Sequence, residues 1–495
     1  MMEKIKNIAK KIIPQLTIII VVTILVFIWF HKGMMIGAGE SGLPFYNYSR
    51  LLNRNYYAWT STLLGGPTNQ GAMPFFGYIN LLNVAHLPQF LVQASFYWLM
   101  LTIGALSIFY LSQLLTPNKL AATLASLFYI FNLFTTVSVL NRLLYPFLAF
   151  YAFLPLSLLL LVTFVLRRRL IGAVWISMTS TIFSLALASF PFLVLWWMVI
   201  FSFLMVYALI DYRSNLLFAI KFFGLLIISW TTLNLWWFGP LIISTFSTAY
   251  STSEAVTQVG NARTFGALSR LVGGLPYVLG LMDRSFFVSA TLSWTKFFLS
   301  PIVHVIALIP ALLIFGVAFM RKKSWLVWYF LFLYILTVFF AKGTTPPLGD
   351  LTSLLVSKIR FLEVLRNSFE KVGFVIIVSA SLLVGYILAT LPKKIIFIFC
   401  LLIFSLLGYP LWSGKVFEGD LVVVPLYYSQ ADSWLSSQNE IFRTVAIPLT
   451  GEGATYNWPQ IYSGVEILSE FLLNRLSHSP PRCLFWRRKT VLWKK

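Results

Sequence analysis

Residues 12–30 of the chain, IIPQLTIIIVVTILVFIWF, carry no charged side chain, and this stretch decides the kind of fold. A helix needs about 20 apolar residues to cross the roughly 30 Å hydrocarbon core of a bilayer with its backbone hydrogen bonds satisfied internally. The stretch is too long for the apolar part of a typical secretory signal peptide, and it lacks a small-residue cleavage site. We therefore predict that it is a permanent first membrane span.

Similar apolar runs recur along the whole chain, which has 495 residues, 59% of them hydrophobic and 11% charged. The mean hydropathy of +0.83 lies far from that of a soluble domain, in which about a quarter of the residues are charged. The pattern predicts an all-α polytopic membrane protein with about eleven transmembrane helices. The predicted spans are residues 12–30, 90–115, 120–140, 146–166, 170–189, 191–210, 216–238, 300–320, 324–341, 372–391 and 395–411.

The net charge of +22 would suggest a nucleic-acid partner in a soluble protein, but the basic residues form short clusters between apolar runs. Alternate connections are basic, as the positive-inside rule requires of cytoplasmic segments. We therefore predict a cytoplasmic N-terminus, an extracytoplasmic C-terminus and no nucleic-acid partner. The clusters lie at residues 4–11, 119, 167–169, 213, 321–323 and 393–394.

The long connections all fall on the predicted outer side. They divide the chain into a transmembrane domain, residues 1–411, with outer loops at 31–89, 239–299 and 342–371, and an extracytoplasmic segment, residues 412–495. The composition of residues 479–489 breaks with what precedes it, so we expect this last segment to be incomplete. Function in polytopic proteins concentrates where irregular backbone and ionisable groups meet the membrane, which predicts an outer working surface.

Glu40 lies in the first outer loop, within the glycine-rich sequence HKGMMIGAGESGLP of residues 31–44. Glycines allow the backbone that carries this carboxylate to approach a substrate closely. Three alternatives stay open: the carboxylate accepts a proton from a sugar hydroxyl, holds a divalent metal on a phosphate, or is merely solvated.

Aromatic and basic residues follow Glu40 in the same loop. Tyrosine and tryptophan at a bilayer surface usually form an interfacial belt, although they also suit stacking against a sugar ring. Arginine can pair with a phosphate through two parallel hydrogen bonds. The candidate substrate contacts here are Arg50, Arg54, Tyr57 and Trp59.

The third outer loop carries basic residues against the positive-inside trend. A bound anion at the membrane surface explains such a departure, and a lipid-linked phosphate would supply it. The alternative is that these side chains snorkel beside Glu363 and Glu370. The candidate phosphate ligands are Lys342, Arg360, Arg366 and Lys371.

Two further polar residues lie near the predicted outer surface. Arg142 sits in a tight turn, where a lipid headgroup or a loop carboxylate could meet it, and His304 lies near the outer end of its span. The sequence shows no zinc motif, no Walker loop and no Ser-His-Asp arrangement, which argues against peptidase and ATPase functions. We predict no metal-ligand set.

Four stretches together resemble those of a known class, the GT-C membrane glycosyltransferases. They are similar to the large bacterial and archaeal membrane proteins related to α-(1→3)-arabinofuranosyltransferases and to YfhO-type proteins, over about residues 10–470. The stretches are Gly39-Glu40, the run of Tyr56-Tyr57-Ala58-Trp59, the loop at residues 342–347 and the motif at residues 365–371.

The resemblance implies an inverting glycosyltransferase of a bacterial or archaeal cytoplasmic membrane. It implies a polyprenyl-phosphate sugar donor and transfer to an extracytoplasmic glycan, lipid or protein acceptor. The acid of the first outer loop is the proposed base in that family, often Asp; this sequence has Glu40 in its place. Arg366 and Lys371 would then bind the donor phosphate, and a divalent Mg²⁺ or Mn²⁺ ion stays an open alternative.

A non-catalytic transporter or flippase of lipid-linked glycans is the rival interpretation. A transporter is expected to place ionisable groups at mid-membrane along its pathway. This sequence keeps its charges near the outer edge of the predicted spans, which favours the transferase.

Overall fold

The chain folds as a bundle of α-helices with very short β-strands at one end. The computed structural model describes residues 2–37, 42–46, 51–52, 55–57, 59–60, 66–67, 69–246, 262–290, 292–320, 323–365, 367–438, 454–456, 458 and 462–464. Many large apolar side chains are exposed on the outer faces of the long helices, among them Phe27, Ile243 and Ile302. Such faces are unfavourable in water and favourable in lipid, so the bundle has the surface of a multi-pass membrane protein.

The amino-terminal half contributes one hairpin and most of the long helices. Its elements are α1 (Met2–Phe30), β1 (Met35–Ile36), β2 (Trp59–Thr60), β3 (Gly66–Pro67), α2 (Met73–Val84), α3 (Gln89–Leu115), α4 (Lys119–Ile130), the π-helix Thr135–Asn141, α5 (Tyr145–Leu166), α6 (Ile171–Ile182), α7 (Ser184–Leu187), α8 (Phe190–Ile210) and α9 (Tyr212–Phe246).

The carboxy-terminal half begins with short helices and ends with small strands. Its elements are α10 (Ala262–Val272), α11 (Leu275–Leu279), α12 (Arg284–Ser289), α13 (Thr295–Phe298), α14 (Pro301–Val317), α15 (Trp325–Ala341), α16 (Gly349–Lys358), the 3-10 helix Arg360–Leu365, α17 (Ser368–Leu388), α18 (Lys393–Cys400), the π-helix Leu401–Leu407, α19 (Tyr409–Trp412), β4 (Leu421–Val422), α20 (Leu426–Ser437), β5 (Ala454–Tyr456) and β6 (Tyr462–Gly464).

The described strands form antiparallel pairs. Strand β1 pairs with β4, β2 with β3, and β5 with β6. In the first pair Met35 lies opposite Val422 and Ile36 opposite Leu421, so the first outer loop is joined to the segment after the last helix of the bundle.

Six helices in the described ranges are long and apolar enough to cross a membrane, or seven if α4 and the π-helix Thr135–Asn141, bent by 57°, count as one span. Helices α6, α14 and α15 are apolar but shorter. At 1.5 Å per residue, the 12 residues of α6 reach only about 18 Å. The all-helical, multi-pass architecture is confirmed, whereas the count of eleven spans and their orientation stay predictions.

Helix α17 is the centre of the bundle, with 89% of its most apolar stretch buried inside the protein. It packs against α4, α14 and α15. Gly373 permits a close approach to the break after α4, because a Cβ atom there would lie 2.0 Å from Cε2 of Phe134. The helix therefore carries Glu370 and Lys371, in its first turn, at a fixed position beside the other helices.

The break after α4 is stabilised by a buried asparagine. The Asn132 Nδ2 atom donates hydrogen bonds to the carbonyls of Phe128 at 3.0 Å and Tyr129 at 2.8 Å. Its Oδ1 atom accepts from the backbone N–H of Thr135 at 2.9 Å. These bonds satisfy backbone groups that a continuous helix would have paired, and the chain then turns at Asn141 and Arg142.

Candidate functional site

The segment after the last helices of the bundle, residues 411–422 (the anchor segment), joins four parts of the protein. The Trp29 indole N–H donates to the carbonyl of Leu411 at 3.0 Å, and the Asn141 amide donates to that of Val416 at 2.7 Å. From the second outer loop, Ser293 donates from its backbone N–H to the Glu418 carboxylate at 3.1 Å. The anchor segment thus joins α1, the turn after the broken span and the second long loop at one end of the bundle, which we call the loop side.

The anchor segment holds the residues that precede Glu40. The backbone N–H of Gly37 donates to the Asp420 carbonyl at 2.9 Å, next to the β1–β4 pair. From the bundle, the buried Gln93 side chain accepts from Ile36 N–H at 2.8 Å and donates to the Ile36 carbonyl at 2.6 Å. Residues 35–37 are therefore fixed from both sides.

The residues that follow Glu40 are packed against the same part of the chain. Leu43 belongs to a small buried cluster with Val422 of β4, Tyr428 of α20 and Trp458. Trp458 is buried against Tyr428, with ring centroids 5.4 Å apart. Trp458 therefore belongs to a small core that also holds Leu43.

Four predicted site residues, Glu40, Arg50, Arg54 and Arg366, lie outside the described residues. Within the described ranges, no group of three or more His, Cys, Asp or Glu side chains could hold a metal ion. The geometry of the candidate site is therefore built from the flanks of Glu40 and from the remaining predicted residues.

Arg142 forms an ion pair with Glu370 that links the turn after the broken span to the first turn of α17. The Arg142 Nη1 and Glu370 Oε1 atoms are 2.5 Å apart, and the side chains are 41% and 6% exposed. A buried carboxylate needs such a cation, and its place near a helix N-terminus adds a favourable dipole interaction. Of the two partners considered for Arg142, the structure shows the carboxylate.

Lys371 lies one residue further along α17 and contacts aromatic rings. Its ammonium nitrogen is 4.8 Å from the ring centre of Phe147 and 5.5 Å from that of Phe192. Cation–π contacts of this kind attract an ammonium without neutralising its charge. The side chain is half-buried, so Lys371 brings a positive charge to the edge of the bundle beside the Arg142–Glu370 pair.

Lys342 is only 2% exposed and is engaged by its own loop. The ammonium donates to the carbonyls of Gly343 at 3.2 Å and Thr345 at 2.9 Å, and it lies 4.9 Å from the ring centre of Phe339. Burial lowers the pKa of Lys342 below its usual range. These contacts give Lys342 a structural task, namely to shape the loop that follows α15.

The other predicted residues lie in separate elements. Arg360 begins the 3-10 helix Arg360–Leu365, and the Trp59 backbone pairs with Pro67 in the β2–β3 hairpin. The Tyr57 ring is exposed and meets that of Tyr56 edge to face at 5.4 Å. The His304 ring lies in α14, edge to face with Tyr277 at 4.6 Å.

The anchor segment relates the flank of Glu40 to the cationic residues. Val416 is bonded to the residue before Arg142, and Leu421 is paired with Ile36. Five residues of extended chain span at most roughly 18 Å, so these two attachment points are close on the scale of the bundle. The structure thus brings the Arg142–Glu370–Lys371 group and strand β1 to one region of the loop side.

Sequence reasoning missed two residues of this region, Gln93 and Asp420. It named Glu370 but did not identify it as the partner of Arg142. A glutamine within an apolar helix and an acid at the start of another were visible signals, since buried polar groups require partners. The partners themselves lie far away in sequence, so only the folded chain could identify them.

No family model matches this chain, and no curated protein matches it. Among solved structures, it is similar to the arabinofuranosyltransferase AftD from Mycobacteria, with a TM-score of 0.55 and 13% sequence identity. The match covers 86% of this chain and 30% of that chain. This likeness shows a shared fold, in agreement with the GT-C-like architecture that the sequence motifs predict.

Proposed function

We propose that this chain is a membrane glycosyltransferase that moves a sugar from a polyprenyl-phosphate donor to an extracytoplasmic glycan, lipid or protein acceptor, with inversion at the anomeric carbon. The fold shared with an arabinofuranosyltransferase supports the general activity. The lipid donor, the acceptor and the inversion are the finer part of the proposal, and they rest on the arrangement of the loop side.

The observation that carries the proposal is that the anchor segment is bonded both to Gly37, shortly before Glu40, and to Asn141, the residue before Arg142 of the Arg142–Glu370 pair. An acid–base residue and a phosphate-binding group must both reach one donor molecule. The two groups come from chain segments that are hundreds of residues apart, which makes their common location informative.

In the proposed reaction, Glu40 takes the proton of an acceptor hydroxyl as its oxygen attacks the anomeric carbon. The bond between that carbon and the phosphate oxygen breaks, and polyprenyl phosphate leaves with the electron pair. Lys371 and Arg366 stabilise the negative charge that develops on the leaving phosphate. A single displacement inverts the anomeric centre and requires no protein nucleophile.

Glu370 prepares this site in the proposal. By holding one edge of the Arg142 guanidinium, it directs a partly exposed cation towards the loop side.

The test is the replacement Glu40→Gln in protein purified into lipid nanodiscs, assayed with a panel of polyprenyl-phosphate sugars. We expect transfer to fall by at least about 100-fold, since general base catalysis contributes roughly that much or more. Membrane insertion and thermal stability should not change. The anomeric configuration of the product, measured by NMR, reports inversion.

Asp350→Asn is the matched control, because Asp350 is an exposed acid on α16 and should leave transfer unchanged. Full activity of Glu40→Gln would remove the base assignment. Movement of labelled donor across the bilayer without formation of any product would instead favour the transporter interpretation.

A further inference from the structure

The end of the bundle opposite the loop side carries a group of arginines that the proposed function does not use. Helix α5 begins at the loop side, and its 22 residues reach about 33 Å at 1.5 Å per residue. Three arginines, residues 167–169, follow it directly, and Arg213 lies in the first turn of α9. These residues are therefore separated from the proposed donor site by a hydrocarbon core roughly 30 Å thick.

Arg168 joins the turn after α5 to the first turn of α9. Its Nη2 atom donates to Ser214 Oγ at 3.0 Å and to Asn215 Oδ1 at 2.7 Å. The buried Asn215 side chain donates in turn to the carbonyl of Tyr207 in α8 at 3.0 Å. The arginines on either side of Arg168 in the sequence are thereby held beside the turn that contains Arg213.

The backbone of Arg168 shows how much the fold depends on this contact. Its N–H donates to the Val165 carbonyl at 3.0 Å, and that of Arg169 donates to the Phe164 carbonyl at 2.9 Å, which is the pattern of a Schellman motif. The left-handed residue of that motif is usually glycine, but here it is Arg168, with a φ of 53°. The two side-chain hydrogen bonds offset this strain, so Arg168 has a structural task.

The other three arginines form a surface that we call the basic face. Their side chains are exposed, and no hydrogen bond or ion pair engages them within the part of the chain that the structure describes. They are Arg167, Arg169 and Arg213.

The basic face has very little negative charge near it. Asp211 is the only acidic residue between positions 40 and 254 of the sequence, and its carboxylate accepts a hydrogen bond from Ser214. The dipole of a helix disfavours a cation in its first turn, where Arg213 lies in α9. The positive charge of the basic face is thus left for an anion from outside the described chain.

Exposed apolar side chains lie next to the basic face. Ile171, at the start of α6, is 52% exposed, and Leu209, near the end of α8, is 65% exposed. The Tyr207 ring lies 6.1 Å from that of Trp325, an aromatic pair of the kind found at membrane–water interfaces. Cations beside exposed apolar groups fit an anionic headgroup that carries acyl chains better than they fit a soluble anion.

We propose that the basic face binds the phosphate of an anionic phospholipid, whose acyl chains lie along the exposed apolar residues of α6 and α8. Guanidinium groups match phosphate oxygens through parallel hydrogen bonds. The orientation predicted from the sequence places this end of the bundle at the cytoplasmic leaflet. The site is separate from the donor site and does not depend on sugar transfer.

The test is native mass spectrometry of the full chain in a nonionic detergent, titrated with dioctanoyl phosphatidylglycerol or its zwitterionic counterpart, dioctanoyl phosphatidylcholine. The tightest site should prefer the anionic lipid by at least about tenfold. In Arg167→Gln/Arg169→Gln/Arg213→Gln its Kd for phosphatidylglycerol should rise on the order of 100-fold, at about fivefold for each arginine.

Lys32→Gln/Lys296→Gln/Lys358→Gln is the matched control, because it removes the same number of charges from lysines that are exposed elsewhere. Its Kd should equal that of the wild type. An equal rise in Kd in this control, or an unchanged Kd in the arginine variant, would overturn the proposal. Equal affinity of the wild type for the two lipids would overturn it as well, even if the arginine variant failed to fold.

Competition distinguishes a lipid from other anions. Inorganic phosphate and a poly-glutamate peptide should displace phosphatidylglycerol only weakly, because neither has acyl chains to place on the apolar residues. Displacement by phosphate at equal concentration would show a site for a free anion, and displacement by the peptide would show a surface for an acidic protein. Either result would contradict the proposal. None of these measurements uses a sugar donor, so a failure here is distinct from a failure of the proposed function.

Discussion

Lys371 and Arg142 make different contacts in the fold. Arg142 is bonded to a nearly buried carboxylate, Glu370, whereas the Lys371 ammonium faces the rings of Phe147 and Phe192. Aromatic faces attract a cation without supplying an opposite charge. These contacts hold the Lys371 ammonium beside the Arg142–Glu370 pair.

We expect Lys371→Gln to weaken donor binding more than it slows chemistry. Loss of one charge-assisted hydrogen bond of about 1.5–3 kcal/mol would raise the apparent KM for the lipid-phosphate donor roughly ten- to 100-fold. Steady-state kinetics with a soluble short-chain donor measures this. Lys296→Gln removes an exposed lysine of the same side and should change nothing; an unaltered KM in Lys371→Gln would dismiss the phosphate role.

At the scale of single elements, α17 combines two tasks. Its first turn presents Glu370 and Lys371, and its remaining length forms the buried centre of the bundle. The position of the two charged residues therefore depends on how closely α17 approaches its neighbours. Gly373 sets that approach against Phe134, which is itself enclosed by Phe369 at 5.5 Å and Phe374 at 5.2 Å.

Gly373→Ala should destabilise the protein, although alanine favours helices more than glycine does. The added methyl group would overlap a ring that has no room to move, and overpacking of this kind costs about 1–3 kcal/mol, against a propensity gain of about 1 kcal/mol. The apparent Tm in detergent should fall.

Gly224→Ala in α9 is the matched control, since a Cβ atom there meets nothing within 4 Å. Its Tm should stay equal or rise slightly. A Tm for Gly373→Ala that is no lower than that of Gly224→Ala would show that α17 can shift, and would weaken the argument that it fixes Lys371.

The sequence predicted elements well where periodicity and length were sufficient. Apolar runs located the long helices, and α14 and α15 occupy predicted spans. It could not predict that the run at 120–140 is broken, because the bend depends on the hydrogen bonds of Asn132 and Thr135. The sequence also could not show that the Lys342 ammonium donates to the carbonyls of Gly343 and Thr345, and its role as a phosphate ligand stays a prediction.

Across the whole molecule, the loop side is assembled from distant segments. The first loop, the turn at Arg142, the second loop and the anchor segment meet there, while the third loop packs on the second through Thr344 and Gly266. None of these contacts follows from composition. These contacts bring the long loops together at one end of the bundle. The side of the membrane on which they lie can be tested directly.

We expect the loop side to be extracytoplasmic. In a variant whose two native cysteines are replaced by serine, Tyr56→Cys and Val423→Cys should react with a membrane-impermeant maleimide in intact cells, because both positions are exposed there. Leu170→Cys, beside the basic turn after α5, should react only after the membrane is opened. The reverse pattern would place the loop side in the cytoplasm and rule out an outer donor site.

The anchor segment also has a consequence for biosynthesis. Trp29 and Leu411 are joined by a hydrogen bond across 382 residues of chain, and β1 pairs with a strand that lies later still in the sequence. The start of the first loop is therefore synthesised long before β4, the strand with which it pairs. Contacts of such separation form late, so the first loop gains its partner strand only after residues 421–422 have been synthesised, when the helices before them already exist.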